Sequence, residues 1–158
     1  MMRSTKLFSL GLLGFLASFA LAQGAREEIE GCYRHRYRSA SVRYFYGMRH
    51  GRAEEFENID VNGEKVDMDA FYAEWLARMG QMLSCKWKGL IIDFQWLSDA
   101  EVRCRVSETF EAKMRNATYS KISNYKMEYV SEDLWLLRDA EWVQVRSRIL
   151  DKREKRED

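Results

Sequence analysis

The segment DLWLLRDAEW, residues 133–142, decides the fold of this chain. Two apolar runs flank the short polar sequence Arg138–Glu141, which is typical of a turn between two antiparallel strands. This hairpin closes a longer stretch, Lys86–Leu150, that predicts long strands joined in sequence. The residues before that stretch predict helices that cover one face of the resulting sheet.

The clearest strand pattern follows a predicted turn at 97–100. Apolar residues alternate with polar ones, and only Glu108 departs from the apolar face. The apolar face carries Val102, Cys104, Val106, Phe110, Ala112 and Met114. One buried and one wet face are expected for an antiparallel sheet with helices on a single side.

The other strands repeat this alternation less regularly. Leu90, Ile92, Phe94 and Trp96 are predicted to share one face and Asp93 the opposite one. In Ile122–Leu137 the sequence Ser131–Asp133 indicates a shift of phase, which predicts a bulge. The last strand, Trp142–Leu150, places Val143, Val145 and Ile149 opposite Trp142, Gln144, Arg146 and Arg148.

Two amphipathic segments predict the helices. In the first, 26–50, charged residues that include Arg36 occupy the remaining sides, and an apolar stripe carries Ile29, Tyr33, Tyr37, Ala40, Tyr44 and Met48. Ser39 and Ser41 leave open whether this is one helix or two. In the second, 70–83, Asp67 or Asp69 supplies the cap, and the stripe carries Phe71, Trp75, Met79 and Met82. Asn62–Gly63 predicts a tight turn between the two segments.

The N-terminus predicts a signal peptide at residues 1–22. Arg3 and Lys6 precede an apolar run, and Ala22 ends a small-residue cleavage pattern. An uncleaved anchor is the alternative, but the run of about fifteen residues is short for a bilayer span. We therefore expect a secreted or periplasmic protein with no stable membrane insertion after cleavage. It would consist of one domain at 26–150 and a charged tail at 151–158 that frays into solvent.

Composition excludes several classes of function. The chain has 26 Lys and Arg against 25 Asp and Glu, so no basic face for nucleic acid is expected. The three cysteines, Cys32, Cys85 and Cys104, match no zinc spacing, and they permit either one disulfide with a free thiol or three structural thiols. No nucleotide-binding, serine-hydrolase or zinc-protease motif occurs. No metal and no cofactor are predicted.

The order of elements and the closing hairpin resemble the nuclear transport factor 2-like superfamily, which includes the SnoaL-like and cystatin-like rolls. The resemblance rests on Asp133–Trp135 followed by Asp139–Val145, with Ala140 where those proteins commonly have glycine. It implies an α+β fold, with N-terminal helices packed on a curved antiparallel sheet that forms a cone around a pocket. Members include isomerases, cyclases, dehydratases and binding proteins, and many are dimers through the sheet.

The predicted pocket is lined by aromatic residues: Tyr33, Tyr37, Tyr44, Trp75, Phe94, Trp96 and Phe110. Enzymes with this resemblance tend to use an Asp or His base, for which Asp93 and His35 are the candidates, but their surroundings favour the surface for both. Arg146, Arg148 and Gln144 would hold an acidic ligand on a concave face and form a rim or dimer contact on a convex one.

Three hypotheses for function follow. The first is a non-catalytic binding or accessory domain for an apolar small molecule, because no convergent acid–base set is evident. The second is a small isomerase or lyase of SnoaL-like type that acts on an apolar, ring-containing substrate. The third is a dimeric interaction module. An ionisable group with a displaced pKa at the bottom of the cavity would favour the second hypothesis, and a filled cavity the third.

Overall fold

The computed structural model describes residues 23–39, 48–115 and 121–157. Its elements are α1 (residues 23–39), β1 (Arg52–Ile59), α2 (Met68–Met79), β2 (Met82–Ser98), β3 (Glu101–Arg115), β4 (Ile122–Arg138) and β5 (Glu141–Glu157). The strands form one sheet in the order β1-β5-β4-β3-β2. The predicted α+β architecture, with helices packed on a curved sheet, is confirmed. The sheet is mixed rather than purely antiparallel, because β1 runs parallel to β5.

Strand β3 is the regular centre of the sheet. Its predicted faces are confirmed, and its pairing with β4 is continuous from Glu101 opposite Leu136 to Arg115 opposite Ile122. The phase shift predicted within β4 is wrong. Ser131 and Asp133 stay in phase with Tyr129 and Trp135, so they are polar residues on the concave face of the sheet.

Bulges occur instead on β2 and β5, and they change which side chains face inward. Strand β2 has three extra residues relative to β3, at Leu83, Ile92 and Leu97. Because of the one at Ile92, Leu90 and Ile92 are 67% and 51% exposed while Phe94 packs inward. The sequence-based assignment of these side chains to one face is therefore wrong at Leu90 and Ile92. It ignored the bulge, which reverses the alternation.

On β5 the extra residues are Val145 and Leu150. Gln144 is buried, whereas Arg146 and Arg148 are exposed, so the three do not form one cluster. Of the two alternatives that the sequence left open, Arg146 and Arg148 therefore take the exposed position and not that of a ligand site on the concave face.

Two groups of buried side chains hold the helices on the concave face. Ala25, Ile29 and Tyr33 of α1 pack on the end of the sheet that carries the closing hairpin, against Val102, Cys104, Val106, Trp135 and Trp142. Tyr72 and Met79 of α2 pack on the other end, against Met48, Met82, Trp87, Phe110 and Ala112. Asp67 caps α2 by accepting from the backbone amides of Asp69 and Ala70.

The C-terminal residues differ from expectation. Residues 151–157 do not fray but continue β5 and pair with Asn124–Val130 of β4. The backbone hydrogen bonds of this ladder hold even a fully charged segment in the sheet, because its side chains remain exposed.

Several predictions concern parts of the chain that the structure does not test. Residues 1–22 lie outside the described residues, so the signal peptide remains a prediction, as does export from the cytoplasm. No helix among the described residues is long and apolar enough to cross a membrane.

The three cysteines are free thiols. Burial raises the pKa of Cys32 and Cys104, which agrees with structural roles for both.

The hairpin between β4 and β5 carries a conformational strain that can be tested. Asp139 and Ala140 both have positive φ, at 50° and 66°, whereas Ala100 in the hairpin between β2 and β3 does not. The left-handed region costs alanine roughly 1–2 kcal/mol but costs glycine little, so Ala140→Gly should raise the free energy of unfolding by about 0.5–1 kcal/mol. Urea denaturation measures this change. The matched control Ala100→Gly should lower stability, and an equal effect of both variants would contradict the prediction.

Candidate functional site

A cavity of about 130 Å³ lies between the helices and the concave face of the sheet. Aromatic side chains form much of its wall: Phe71, Trp75, Trp87 and Phe110. Polar side chains are also among its lining: Arg36, Arg52, Glu108, Tyr129, Asp133 and Gln144. A wider cleft of about 660 Å³ adjoins it and shares Phe71, Trp75, Phe110, Met127 and Lys152. The cavity therefore combines apolar and ionisable surfaces.

The structure brings together part of the predicted lining set. Tyr33, Trp75 and Phe110 line the cavity, and Tyr37 reaches its wall at Glu108. Phe94 instead packs on the α1 side of the core, and Trp96 contacts Trp142 edge to face with ring centroids 5.7 Å apart. Tyr44 lies outside the described residues.

Asp133 is held by a closed set of hydrogen bonds. Tyr33 donates its hydroxyl to one carboxylate oxygen, and Ser147 donates to the other at 2.6 Å. The indole of Trp135 in turn donates to the Tyr33 hydroxyl at 3.1 Å. Burial, with the charge of Asp133, raises the pKa of Tyr33, which therefore keeps its proton. Both Asp133 oxygens already have donors within the chain.

Glu108 is the buried carboxyl group of the aromatic wall. Only 7% of this residue is exposed, and the hydroxyl groups of Tyr37 and Tyr129 converge on its carboxyl group. Burial, followed by the charge of Asp133, raises the pKa of Glu108, although the two tyrosine hydrogen bonds oppose this effect. The same burial raises the pKa of Tyr129. The site thus contains a carboxyl group that retains its proton more readily than an exposed glutamate does.

Arg36 contradicts the sequence-based expectation of an exposed side chain, because only 2% of it is exposed. It lies seven residues after Ile29 and so on the same face of α1. Its guanidinium donates to the His50 carbonyl at 2.7 Å and to the Gln144 side-chain oxygen at 2.6 Å. It also stacks over Trp135, with 5.3 Å to the ring centroid. Arg36, which was expected on the outer side of the helix, is therefore part of the cavity wall.

The two candidate bases from the sequence lie elsewhere. Asp93 and His35 are exposed, as their surroundings indicated. His35 instead lies against His50, with ring centroids 4.0 Å apart. Among the described residues, no histidine lines the cavity and no group of three potential metal ligands occurs.

Several solved structures are similar to this chain in fold. A putative scytalone dehydratase from Novosphingobium aromaticivorans has a TM-score of 0.68 at 11% identity, over 87% of this chain and 91% of its own. A hexachlorocyclohexane dehydrochlorinase, LinA type 2, has a TM-score of 0.65 at 8% identity, over 86% and 92%. An NTF2-like protein of unknown function from Shewanella oneidensis has a TM-score of 0.59 at 14% identity, over 80% and 98%. The chain has the nuclear transport factor 2-like fold. At these identities the likeness shows the fold alone.

Neither a protein-family model nor a curated protein matches the sequence. The chemistry of this nuclear transport factor 2-like roll must therefore be argued from its own side chains. The residues that sequence reasoning missed did leave signals. Glu108 was the only polar residue on the apolar face of β3, and Asp133 kept the phase of the Tyr125–Tyr129 face in β4.

Gly89 left a further signal, as a glycine inside a long strand. It pairs with Glu108 across β2 and β3. An added Cβ would lie 2.1 Å from the Tyr37 hydroxyl oxygen and 3.0 Å from Cγ of Glu108. Glycine here permits the close approach of Tyr37 to the carboxyl group.

Replacement of Gly89 by alanine should therefore displace Tyr37. We expect Gly89→Ala to lower the free energy of unfolding by about 1–3 kcal/mol, as overpacking usually does. Urea denaturation measures this loss. The matched control is Gly80→Ala after α2, where φ is −59° and the nearest atom would lie 3.4 Å away. Equal stability of the two variants would show that Tyr37 does not need the space.

The raised pKa of Glu108 predicts a specific dependence of stability on pH. An exposed glutamate titrates at 4.5, so above that pH the folded chain holds a proton that the unfolded chain has released. The free energy of unfolding of the wild type should decrease as the pH rises from 4.5 to the raised pKa of Glu108. Glu108→Gln should not show this decrease, because glutamine does not titrate. The difference between the two in free energy of unfolding should grow by about 1.4 kcal/mol per pH unit.

Urea denaturation at several pH values from 4 to 8 checks this slope. Glu111→Gln on the exposed face of the same strand is the control for loss of a surface carboxyl group. A constant difference between wild type and Glu108→Gln would mean that Glu108 has an ordinary pKa.

Proposed function

We propose that this protein is a small acid–base enzyme of isomerase or lyase type that acts on a small, ring-containing molecule in the cavity. The observation that carries the proposal is the buried Glu108 carboxyl group with Tyr129 beside it, in a wall of aromatic side chains. A carboxyl group whose pKa is raised by burial is closer to the pH at which it can both accept and release a proton. The sequence-based preference for non-catalytic binding rested on the lack of such a group.

The proposed chemistry divides between three parts of the cavity. Glu108 in its ionised form would remove a proton from a carbon atom of the substrate and could return it to a neighbouring position or to a leaving group. Tyr129, whose burial raises its pKa, would stay protonated, and as Glu108 takes up the substrate proton it would turn its hydroxyl from Glu108 to the oxygen on which negative charge develops. Trp75, Trp87 and Phe110 would hold the ring by apolar contact.

The size of the cavity supports a small substrate. A volume of about 130 Å³ is comparable to cavities of about 150 Å³ that bind benzene, so one six-membered ring is the expected scale. The putative scytalone dehydratase and the dehydrochlorinase with this fold are, by their names, enzymes of elimination reactions. That agreement supports the reaction type proposed here.

Non-catalytic binding is the second candidate, and one observation favours it. The hydroxyl groups of Tyr37 and Tyr129 both lie beside Glu108, so the carboxyl group has polar neighbours without any ligand. Export to the periplasm or exterior and a homodimer formed through the outer sheet face remain parts of the proposal that rest on the sequence.

Turnover by Glu108→Gln separates the two candidates. A panel of cyclohexanone derivatives with a β-hydroxyl group or a β,γ double bond would report elimination or isomerisation through the ultraviolet absorbance of the conjugated product. We expect wild type to turn over members of this panel and Glu108→Gln to lose kcat by about 100-fold or more. The control Glu111→Gln should retain wild-type rates. Binding without turnover by wild type would favour the non-catalytic candidate, and equal rates for Glu108→Gln would exclude Glu108 as the proton-transfer group.

A further inference from the structure

The cavity contains two guanidinium groups that have no ion-pair partner. Arg36 and Arg52 both line it, and among the described residues no carboxylate forms a salt bridge with either. Lys152, the other cation of the lining, is paired with Glu154 at 3.5 Å. The unpaired positive charge of the cavity therefore belongs to the two arginines.

Arg36 is the more unusual of the two. Its hydrogen-bond acceptors, the His50 carbonyl and the Gln144 amide oxygen, are both neutral. Its remaining nitrogen, Nη2, is buried and has no hydrogen-bond partner among the residues that the structure describes. Burial of a charge without a counterion is costly, so chains normally pair a buried arginine with an anion.

Arg52 adds to this excess. It donates to the Tyr72 hydroxyl at 3.2 Å and lies over the Phe56 ring, which are again neutral partners. Its Nε is buried and has no partner within the described part of the chain. The charge of Arg52 also lowers the pKa of Arg36, second to burial, so the two cations repel each other. An anion beside both groups would relieve that repulsion.

The carboxylates of the cavity are already engaged by neutral donors. Tyr33 and Ser147 donate hydrogen bonds to Asp133, and the hydroxyl groups of Tyr37 and Tyr129 lie beside Glu108. Trp75 and Trp87 also line the cavity, and their indole nitrogens are buried donors with no partner in residues 23–39, 48–115 and 121–157. The site therefore has more unpaired hydrogen-bond donors than free acceptors among the described residues.

We infer that the molecule bound in this cavity is a monocarboxylate, with its carboxylate beside Arg36 and Arg52 and its ring against Trp75, Trp87 and Phe110. A carboxylate is the anion that fits best, because it matches the planar guanidinium fork and leaves room for one ring in about 130 Å³. The inference rests on the small-molecule site of the proposed function, but it does not require catalysis.

Calorimetric titration of the full chain at neutral pH tests this inference. The probes are benzoate and cyclohexanecarboxylate, each compared with its uncharged carboxamide of nearly the same shape. We expect each carboxylate to bind at least about tenfold more tightly than its amide, because only the carboxylate supplies the missing counterion. Equal affinity, or no binding of either carboxylate, would overturn the inference.

Variants of Arg52 test whether the preference for carboxylates over carboxamides arises in the cavity. Arg52→Gln should weaken carboxylate binding about tenfold and leave amide binding nearly unchanged, whereas Arg52→Lys should retain most of the preference. Arg105→Gln, on the exposed face of β3, is the matched control and should bind as wild type does. Thermal unfolding confirms that each variant is folded. A carboxylate preference that survives in Arg52→Gln would place the anion elsewhere and overturn the inference.

Glu108→Gln distinguishes this inference from the proposed function. A carboxylate preference together with unchanged turnover in Glu108→Gln would leave the inference standing and refute the enzymatic proposal. Loss of turnover in Glu108→Gln together with equal binding of acids and amides by wild type would support the enzymatic proposal and refute the carboxylate inference.

Discussion

The indole of Trp135 is the contact on which the other parts of this roll depend. It is fully buried in β4, at the end of the sheet where the closing hairpin returns, and α1 packs on it. Its ring meets Tyr33 edge to face, with centroids 5.4 Å apart, and its face carries the Arg36 guanidinium. Its N–H group fixes the Tyr33 hydroxyl, which in turn holds Asp133. One side chain thus joins the hairpin to the helix and orients two ionisable residues of the cavity.

The bulges in β5 and β2 determine which side chains face the helices. Without the extra residue Val145, the inward position taken by Ser147 would go to Arg146 or Arg148, and Asp133 would lose a hydrogen-bond donor. Leu150 then shifts the phase a second time, so that Lys152 points to the mouth of the cavity. On β2, Ile92 has the corresponding effect and turns Phe94 toward the core. The same bulges therefore bend the sheet and select the side chains that face inward.

These facts explain which parts of the fold could be predicted from the sequence. Alternation in β3 is uninterrupted, so its faces followed directly from residue order. On β2 and β5 each extra residue reverses the alternation, and none of Ile92, Val145 and Leu150 is a proline or glycine that would mark the position. Parallel pairing of β1 with β5 depends on residues about ninety positions apart, which a local pattern cannot reveal.

The candidate site was harder to predict because its key residues break the rules that serve to identify a core. Glu108, Arg36 and Asp133 are charged residue types on buried faces, and residue type alone assigns such residues to the surface. Arg36 shares the face of Ile29 and Tyr33, so helix geometry indicated its burial even though its charge argued against it.

Natural proteins keep such exceptions where a function requires them, since each buried ionisable group lowers stability. In this roll they lie on neighbouring strands and on α1 around one cavity. The neutral partners of Arg36 and the protonated tyrosines around Glu108 limit the cost of burial without cancelling the charge of the guanidinium groups. A purely structural core would more readily have paired Arg36 with Glu108 or replaced both by apolar residues. The separation of these two charges within one cavity is therefore a stronger argument for a ligand than the fold, which proteins of unlike function share.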